Sequence, residues 1–381
     1  MTSPDKIFSI QGRTLTLDTA DDVKEFCDQI ANFKDLEEVR FFQNTLGIEA
    51  CRALSKAIKL HKTLKVANLS DMFTRRKEDV IPVCLEAFVD ALIDQPNLVE
   101  IDLSDNAFGP ICAEPLMRLI TQNRNIQTIK LNNNGLGIGG SEYISKALIE
   151  AAELNKKENK QSNLRTFVVG RNRMENQGAA NFARAFERHT GLIEVRMPQN
   201  SIRAEGIEIL VNSLGCCKSL EVLDLQDNTF TLKGSIATAK ALQNWKSLRV
   251  LNIGECLLGA EGSKEIIKAL TGSHNNLTTI LLSYNELDYA SAKLLPDMLE
   301  DKMYLEKLEL NGNAFEADSK EVQDIKDILR GLGQEDALDE LDDMEVPSDD
   351  EQEEEESESE EKSSDKNLED LTDLASKLKI N

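Results

Sequence analysis

The chain has 381 residues, a net charge of −24 and a hydrophobic content of 40%, so it is long and apolar enough to bury a substantial core. It has no apolar run long enough to cross a membrane and no apolar stretch after its first Met, so we expect neither a membrane span nor a secretory signal. The strongly acidic balance argues against nucleic acid as a partner.

Cysteine and histidine usage argues against catalytic chemistry. The seven cysteines are an odd number without metal-like spacing, which fits a reducing cytosol and predicts no metal site. None of the three histidines lies in a nucleophile motif, and there is no glycine-rich phosphate loop. We therefore expect no catalytic site and no bound cofactor.

The N-terminal segment, residues 1–35, precedes the regular part of the chain. IFSIQGRTLTLDTADDVKEFCDQIANF reads as a short strand or hairpin followed by a helix from about Ala20. We expect this segment to cap the open end of the domain that follows.

A repeated unit then begins. Residues 192–259 contain LIEVRMPQNSI, LEVLDLQDNTF and LRVLNIGECLL, each fitting Leu-x-x-Leu-x-Leu-x-x-Asn-x-Leu and followed by about 17 residues of helical pattern. The same period, about 28 residues, extends in both directions and gives ten turn positions. They are Asn44, Met72, Asn106, Asn134, Asn172, Asn200, Asn228, Cys256, Asn285 and Asn313.

This pattern predicts an α/β leucine-rich repeat solenoid over residues 36–333. Each repeat is a short strand, a loop and a helix, and no repeat can bury its apolar face alone. We expect a ribonuclease-inhibitor-like horseshoe with parallel strands on the concave face and helices on the convex face. The turn Asn should bury its amide and form a ladder, in which Cys256 is a small polar substitute. The helix Lys320–Leu332 should close the far end before Gly333.

Two repeats are longer than the others. They are the repeat between Met72 and Asn106 and the repeat between Asn134 and Asn172. The second contains ELNKKENKQSN (153–163), which we interpret as a tolerated surface insertion. In the first, Met72 replaces the turn Asn and the loop that follows carries Arg75, Arg76 and Lys77. A repeat that breaks the local rule in this way is a candidate functional site.

The residues just before the turn positions should leave the strand and line one edge of the solenoid. This reasoning predicts an exposed row at the edge that also carries Arg76. The row consists of Asp105, Asn133, Arg171, Gln199, Asp227 and Glu255.

Residues 334–381 form an acidic tail with 21 Asp+Glu against 4 Lys. Such a segment cannot bury apolar area, so we expect disorder, with either a solubilising role or a role in attracting a basic partner. Ser348, Ser357 and Ser359 precede acidic residues and are candidate phosphorylation sites. The final NLEDLTDLASKLKI predicts a short amphipathic helix, which could dock on the fold, bind a partner or serve as an export signal.

The chain resembles the Ran GTPase-activating proteins, in particular the short fungal form, over essentially its whole length. The resemblance is carried by LSDMFTRRKEDVIP (69–82), LSDNAFGP (103–110), LNNNGLG (131–137), VGRNRMEN (169–176) and LDLQDNTFT (223–231). It implies that the chain is not itself an enzyme. It would bind the GTP form of the small GTPase Ran and accelerate hydrolysis by ordering the GTPase's own catalytic Gln, in support of nucleocytoplasmic transport.

The family's functional Arg falls on Arg76, with Arg75 as the alternative because Gly is common there, and its functional Asn falls on Asn133. Arg75, Lys77, Asp105, Arg171, Gln199, Asp227 and Glu255 are candidate partner-binding residues. GTP and Mg²⁺ would be held by the GTPase, and a Ran-binding protein could be a third component. We expect a monomer in the cytoplasm, including the nuclear periphery.

Two other functions fit a horseshoe. One is a ribonuclease-inhibitor-like protein that grips a basic partner on an acidic surface. The other is a passive scaffold for signalling proteins. Neither would stimulate GTP hydrolysis, so a hydrolysis assay separates both from the favoured interpretation.

Overall fold

The computed structural model describes residues 2–345. Most of the predicted acidic tail, with its candidate phosphorylation sites and terminal helix, lies outside the described residues. Eleven parallel strands follow one another across a single sheet in chain order, apart from the pair β2–β4 beside it. The strands are β1 (Ile7–Ser9), β2 (Thr16–Leu17), β3 (Glu38–Arg40), β4 (Thr45–Leu46), β5 (Val66–Asn68), β6 (Glu100–Asp102), β7 (Thr128–Lys130), β8 (Thr166–Val168), β9 (Glu194–Arg196), β10 (Val222–Asp224), β11 (Val250–Asn252), β12 (Thr279–Leu281) and β13 (Lys307–Glu309).

Helices connect successive strands and pack against one another in sequence order. They are α1 (Lys24–Asn32), α2 (Ile48–Lys59), α3 (Val80–Leu92), α4 (Ala113–Gln122), α5 (Gly137–Lys157), α6 (Glu175–Phe186), α7 (Ala204–Leu214), α8 (Thr231–Leu242), α9 (Gly259–Leu270), α10 (Tyr289–Ala292), α11 (Leu295–Leu299) and α12 (Lys320–Gly331). None of these helices is long and apolar enough to cross a membrane. The arrangement confirms the predicted leucine-rich repeat solenoid.

The repeat leucines form the core because equivalent positions stack from strand to strand. Leu223 in β10 pairs with Val195 in β9 and with Leu251 in β11. All three side chains are fully buried. One continuous apolar core therefore runs along the solenoid between the sheet and the helices.

The predicted asparagine ladder is confirmed. Seven turn Asn side chains accept a hydrogen bond through Oδ1 from the backbone N–H at the preceding turn position, at 2.8–3.2 Å. Their amide groups donate to backbone carbonyls of their own and the preceding repeat. Met72 and Cys256 are the two positions that lack this amide.

A second row of buried polar residues lies at the other end of the repeats, and sequence analysis missed it. Most of these side chains donate to the carbonyl of the last residue of the preceding repeat's helix, an unpaired group in an isolated helix. Trp245 Nε1 lies 3.0 Å from the carbonyl of Leu214, the last residue of α7. The Nε2 of His189 lies 2.9 Å from the carbonyl of Leu148, which is inside the longer α5. Asn123, His274 and Lys302 make the equivalent bond.

All three histidines follow their turn position at nearly the same interval along the chain. His61 shares this spacing but, unlike His189 and His274, has a buried Nε2 without a hydrogen-bond partner among the described residues. That shared spacing was the available sign that they are structural. It places each histidine at a helix end rather than in a site that performs chemistry.

The predicted boundaries differ from the structure at both ends. The N-terminal segment does not form a hairpin. Strand β1 pairs in parallel with β3, and β2 pairs in parallel with β4, so the segment is a shortened first repeat as well as a cap.

At the other end, order continues beyond the predicted boundary at residue 333. Ala337 is buried, Leu338 bridges to Leu308, and the Asp339 carboxylate accepts the N–H groups of Leu310 and Asn311. Residues 334–345 therefore cap the last repeat. The acidic composition hid this role because the apolar residues that pack are few.

Candidate functional site

The candidate site is the row of residues that directly precede the turn positions, here called the rim. Each of the ten has a left-handed backbone, with φ between 44° and 71°. This conformation turns the chain out of the strand and aims the side chain away from the core. The rim consists of Gln43, Asp71, Asp105, Asn133, Arg171, Gln199, Asp227, Glu255, Tyr284 and Gly312.

Hydrogen bonds between repeats fix the rim backbone. The N–H of Asp105 donates to the carbonyl of Asn132 and that of Asn133 to Gly170, both at 2.9 Å. The same bond recurs from Arg171, Gln199, Asp227, Glu255 and Tyr284. The six rim residues predicted from sequence all have exposed side chains. Their placement is confirmed, and their contact with a partner stays a prediction.

The side chain of Asn133 is held by its neighbour on the rim. Its Nδ2 donates to the Asp105 carboxylate at 2.8 Å. This bond orients the amide, so that Oδ1 and the second N–H face solvent. Asn133 therefore presents a donor and an acceptor from a position fixed by its neighbour on the rim.

Arg76 does not project freely from its enlarged loop, which runs between β5 and α3. Its guanidinium pairs with the Asp18 carboxylate of the N-terminal cap and donates to the Thr45 carbonyl at 3.1 Å. The side chain is only 18% exposed. The loop lies on the predicted edge, but the guanidinium binds residues on the side of its repeat opposite to Asn133. Sequence analysis could not predict this ion pair because Asp18 lies far from Arg76 along the chain.

Arg75 and Lys77 are the exposed cations of this loop. Arg75 has a left-handed backbone with φ 67°, which directs its side chain outward. Among residues 2–345, neither side chain forms an ion pair or a hydrogen bond. They are the loop residues free to meet a partner.

A groove of about 570 Å³ lies along the C-terminal half of the rim. It contains the predicted Gln199, Asp227 and Glu255, together with three large side chains that sequence analysis did not single out. These additional residues are Arg203, Leu257 and Tyr284.

Tyr284 closes one end of this groove. Its ring lies over Gly312, where any Cβ would collide with it, and its hydroxyl donates to Asp343 at 3.0 Å. That bond raises the pKa of the Tyr284 hydroxyl. In the sequence, this contact was indicated by a glycine, Gly312, at the rim position that follows Tyr284.

The rim is acidic overall. It carries the carboxylates of Asp71, Asp105, Asp227 and Glu255 against the single cation of Arg171. No group of His, Cys, Asp and Glu among the described residues has the arrangement of a metal site. A polar, negatively charged rim with an amide held in place is suited to binding a basic protein surface.

Comparisons with known proteins agree with this architecture. A family model described as Leucine Rich repeat matches residues 216–237. The chain is 38% identical over 353 residues to Ran GTPase-activating protein 1 of Saccharomyces cerevisiae, covering 90% of this chain and 84% of the yeast protein.

Animal relatives are also similar. Identity is 37% over 338 residues to Ran GTPase-activating protein 1 of Xenopus laevis, covering 88% of this chain and 58% of that protein. The chain is also 37% identical over 201 residues to Ran GTPase-activating protein 2 of Caenorhabditis elegans, covering 52% of this chain and 21% of the Caenorhabditis elegans protein.

Proposed function

The chain belongs to the Ran GTPase-activating proteins, and we propose that it binds GTP-loaded Ran along the rim and accelerates GTP hydrolysis by positioning the GTPase's own catalytic groups. The observation that carries this proposal is the similarity along 84% of the yeast relative, which includes the segments around Arg76, Asn133 and Asp227. As a regulator of hydrolysis, the chain supports nucleocytoplasmic transport.

Asn133 is the residue we assign to the reacting centre. In small GTPases the attacking water is oriented by a Gln of the GTPase itself. A neutral amide that can both donate and accept is suited to holding that Gln or its neighbours in one orientation. Because Asp105 and the rim backbone already fix Asn133, the GTPase does not have to order it on binding.

Arg76 acts in this proposal as a positioning residue rather than an arginine finger. A finger must reach the phosphates of the partner. The Arg76 guanidinium is instead bound to Asp18 and to the Thr45 carbonyl, and would have to break both bonds to move. Holding the loop in place leaves Arg75 and Lys77 exposed for partner contact.

The remaining features of the proposal concern the nucleotide, a third protein, the oligomeric state and the location of the chain. GTP and Mg²⁺ stay on the GTPase, and no side chain of the activator reacts. In this proposal the GTPase can carry a Ran-binding protein at the same time, as a third component. We place a monomer of the chain in the cytoplasm, including the nuclear periphery.

A multiple-turnover assay tests the function. Ran loaded with GTP is incubated with the full chain at one hundredth of its concentration or less, and phosphate release is followed. Many turnovers per activator molecule would support the proposal. Binding without any acceleration would contradict it and would favour a scaffold. Binding to a basic ribonuclease and inhibition of it, without acceleration of GTP hydrolysis, would favour an inhibitor.

A further inference from the structure

A second concave site lies at the edge opposite the rim, where helices end and the next strands begin. It is a cavity of about 620 Å³ bounded by the end of α5, the segment 158–165 and the residues after α6. Four cations and two carboxylates line it. They are Lys156, Lys160, Arg165, Arg188, Glu153 and Glu187.

Arg165 is built into this cavity in a fixed orientation. Its Nη1 donates to the carbonyls of Ser162 at 3.0 Å and Leu164 at 2.9 Å. The guanidinium lies directly over Gly191, where any Cβ would collide with it. These contacts use one nitrogen and leave the remaining N–H groups available to an anion.

The positive charge of the cavity is only partly neutralised. Among residues 2–345, Arg165 and Lys156 form no ion pair, whereas Lys160 shares the carboxylate of Glu158 with Arg124. Arg188 is 3.8 Å from Glu187, at the outer limit of an ion pair. Unpaired cations in a concave site attract anions more strongly than cations on an open surface.

The long interval in the repeat pattern builds this cavity. Helix α5 has 21 residues where α6 has 12, so most of the insertion that we interpreted from sequence as a tolerated surface insertion is helical. Lys156, Lys160 and Ser162 all come from the inserted segment. The insertion has therefore created a basic site that the neighbouring repeats do not have.

The chain also contains a matching anion. Residues 346–361 hold ten carboxylates and no basic residue. We propose that this basic cavity binds the chain's own acidic segment 346–361, through ion pairs and charge-assisted hydrogen bonds from Arg165, Lys156 and Lys160. The occupant is anionic peptide, and recognition is by charge and by the fixed guanidinium.

The segment is long enough to reach the cavity. The last described strand, β13, is five strands from β8, which is about 24 Å along the sheet at the usual strand spacing. Crossing from the rim to the opposite edge adds about 18 Å, the length of a 12-residue helix. Sixteen residues in extended conformation span up to about 50 Å. Covalent attachment also gives the segment an effective concentration of the order of millimolar, so weak individual contacts suffice.

Docking there would move negative charge away from the rim. The described chain ends beside the rim, where the N–H of Glu345 donates to the Asn313 carbonyl at 2.9 Å. A segment held at the opposite edge would not compete with the acidic rim for a basic partner. High salt should release it, because the attraction is electrostatic.

Carbodiimide cross-linking of the full chain, read by mass spectrometry, tests the proposal because it joins amines to carboxylates in direct contact. At low salt we expect Lys156 and Lys160 to be the main lysines joined to residues 346–361, with the yield falling at least fivefold in high salt. Arg165→Glu should lower the yield at least fivefold. Arg249→Glu is the matched control, since Arg249 occupies the same repeat position three repeats later and is exposed. It should leave the yield unchanged within twofold.

A second variant removes the guanidinium from its place without changing charge. Gly191→Ala should displace Arg165 and lower the same cross-links, while thermal melting reports whether the fold is kept. Cross-links spread evenly over exposed lysines, or insensitive to both Arg165→Glu and Gly191→Ala, would overturn the proposal. Cross-links that join ¹⁵N-labelled to unlabelled chains in an equal mixture would overturn it as well, because they would show contact between molecules.

Discussion

At the scale of single residues, the two arginines of the enlarged loop are distinguished by their partners. Arg76 binds Asp18 and the Thr45 carbonyl, whereas Arg75 is exposed. Arg76→Ala should therefore lower the free energy of unfolding by about 1 kcal/mol, because the partly buried Thr45 carbonyl loses its donor and the ion pair with the exposed Asp18 carboxylate is lost. Arg75→Ala is the control and should stay within about 0.5 kcal/mol of wild type. Urea unfolding measures both, and equal stability of the two variants would contradict the assigned role of Arg76.

Asp105 and Asn133 give a prediction about the orientation of the Asn133 amide. Asp105→Ala removes the carboxylate that holds Asn133 Nδ2 but leaves the amide in place. We expect it to lower the saturating rate of GTP hydrolysis on Ran, by less than loss of the Asn133 side chain does. Asp227→Ala, elsewhere on the rim, is the matched control and should change mainly the activator concentration required. If Asp105→Ala leaves the saturating rate unaltered, the carboxylate does not position Asn133.

At the scale of structural elements, different turn positions of the ladder should contribute unequally to the free energy of unfolding. Asn228 accepts two backbone N–H bonds and donates to the carbonyls of Met197 and Leu225, all within the buried turn. Asn228→Ala should cost about 1–3 kcal/mol or more of stability, since several buried groups lose partners. Cys256→Ala should cost less, because the thiol forms only weak hydrogen bonds. The ladder account predicts this order of urea midpoints, and the reverse order would contradict it.

The buried histidines at the helix ends predict a pH dependence of stability. Burial lowers the pKa of His189 and of His274 below the usual value near 6.5. The unfolded chain then binds more protons than the folded one, so their contribution is fully present above about pH 6.5 and is lost as pH falls below it. The double variant His189→Asn/His274→Asn places at both positions the residue type that Asn123 provides at the equivalent position of its own repeat. This double variant should lose less stability than wild type between pH 7 and pH 5, and an equal loss would contradict the structural role.

The repeat architecture was predictable because its two determinants recur at a nearly constant interval. Strand leucines and turn Asn residues return in almost every repeat, and the rim follows from them by counting. The second row at the helix ends was missed because its members, such as His189, Trp245 and Lys302, share a position in the repeat and the ability to donate a hydrogen bond but no residue type. The partner of Arg76 was unpredictable for another reason. Contact between the cap and the enlarged loop depends on how loops pack rather than on any period.

At the scale of the whole molecule, the boundary between fold and tail lies near residue 345 rather than 333. Leu338, Leu341 and Met344 pack against the core, and Asp339 caps the edge of the last strand. A chain ending at 345 should unfold like the full protein. A chain ending at 333 should lose about 2 kcal/mol or more, because it exposes the last repeat. Equal urea midpoints for the two truncations would show that residues 334–345 are not a cap.

The central claim is that the rim activates the GTPase by positioning and that Arg76 is not a finger. Single-turnover hydrolysis by Ran·GTP, measured over a range of activator concentrations, tests it most directly. The variants are Arg76→Ala and Asn133→Gly, since glycine removes the side chain without straining a backbone at φ 50°. We predict that Asn133→Gly lowers the saturating rate by about tenfold or more, whereas Arg76→Ala raises the half-saturating concentration and recovers most of the rate at saturation. A loss of about 10³ or more in the saturating rate of Arg76→Ala, the size expected of an arginine finger, would contradict the account.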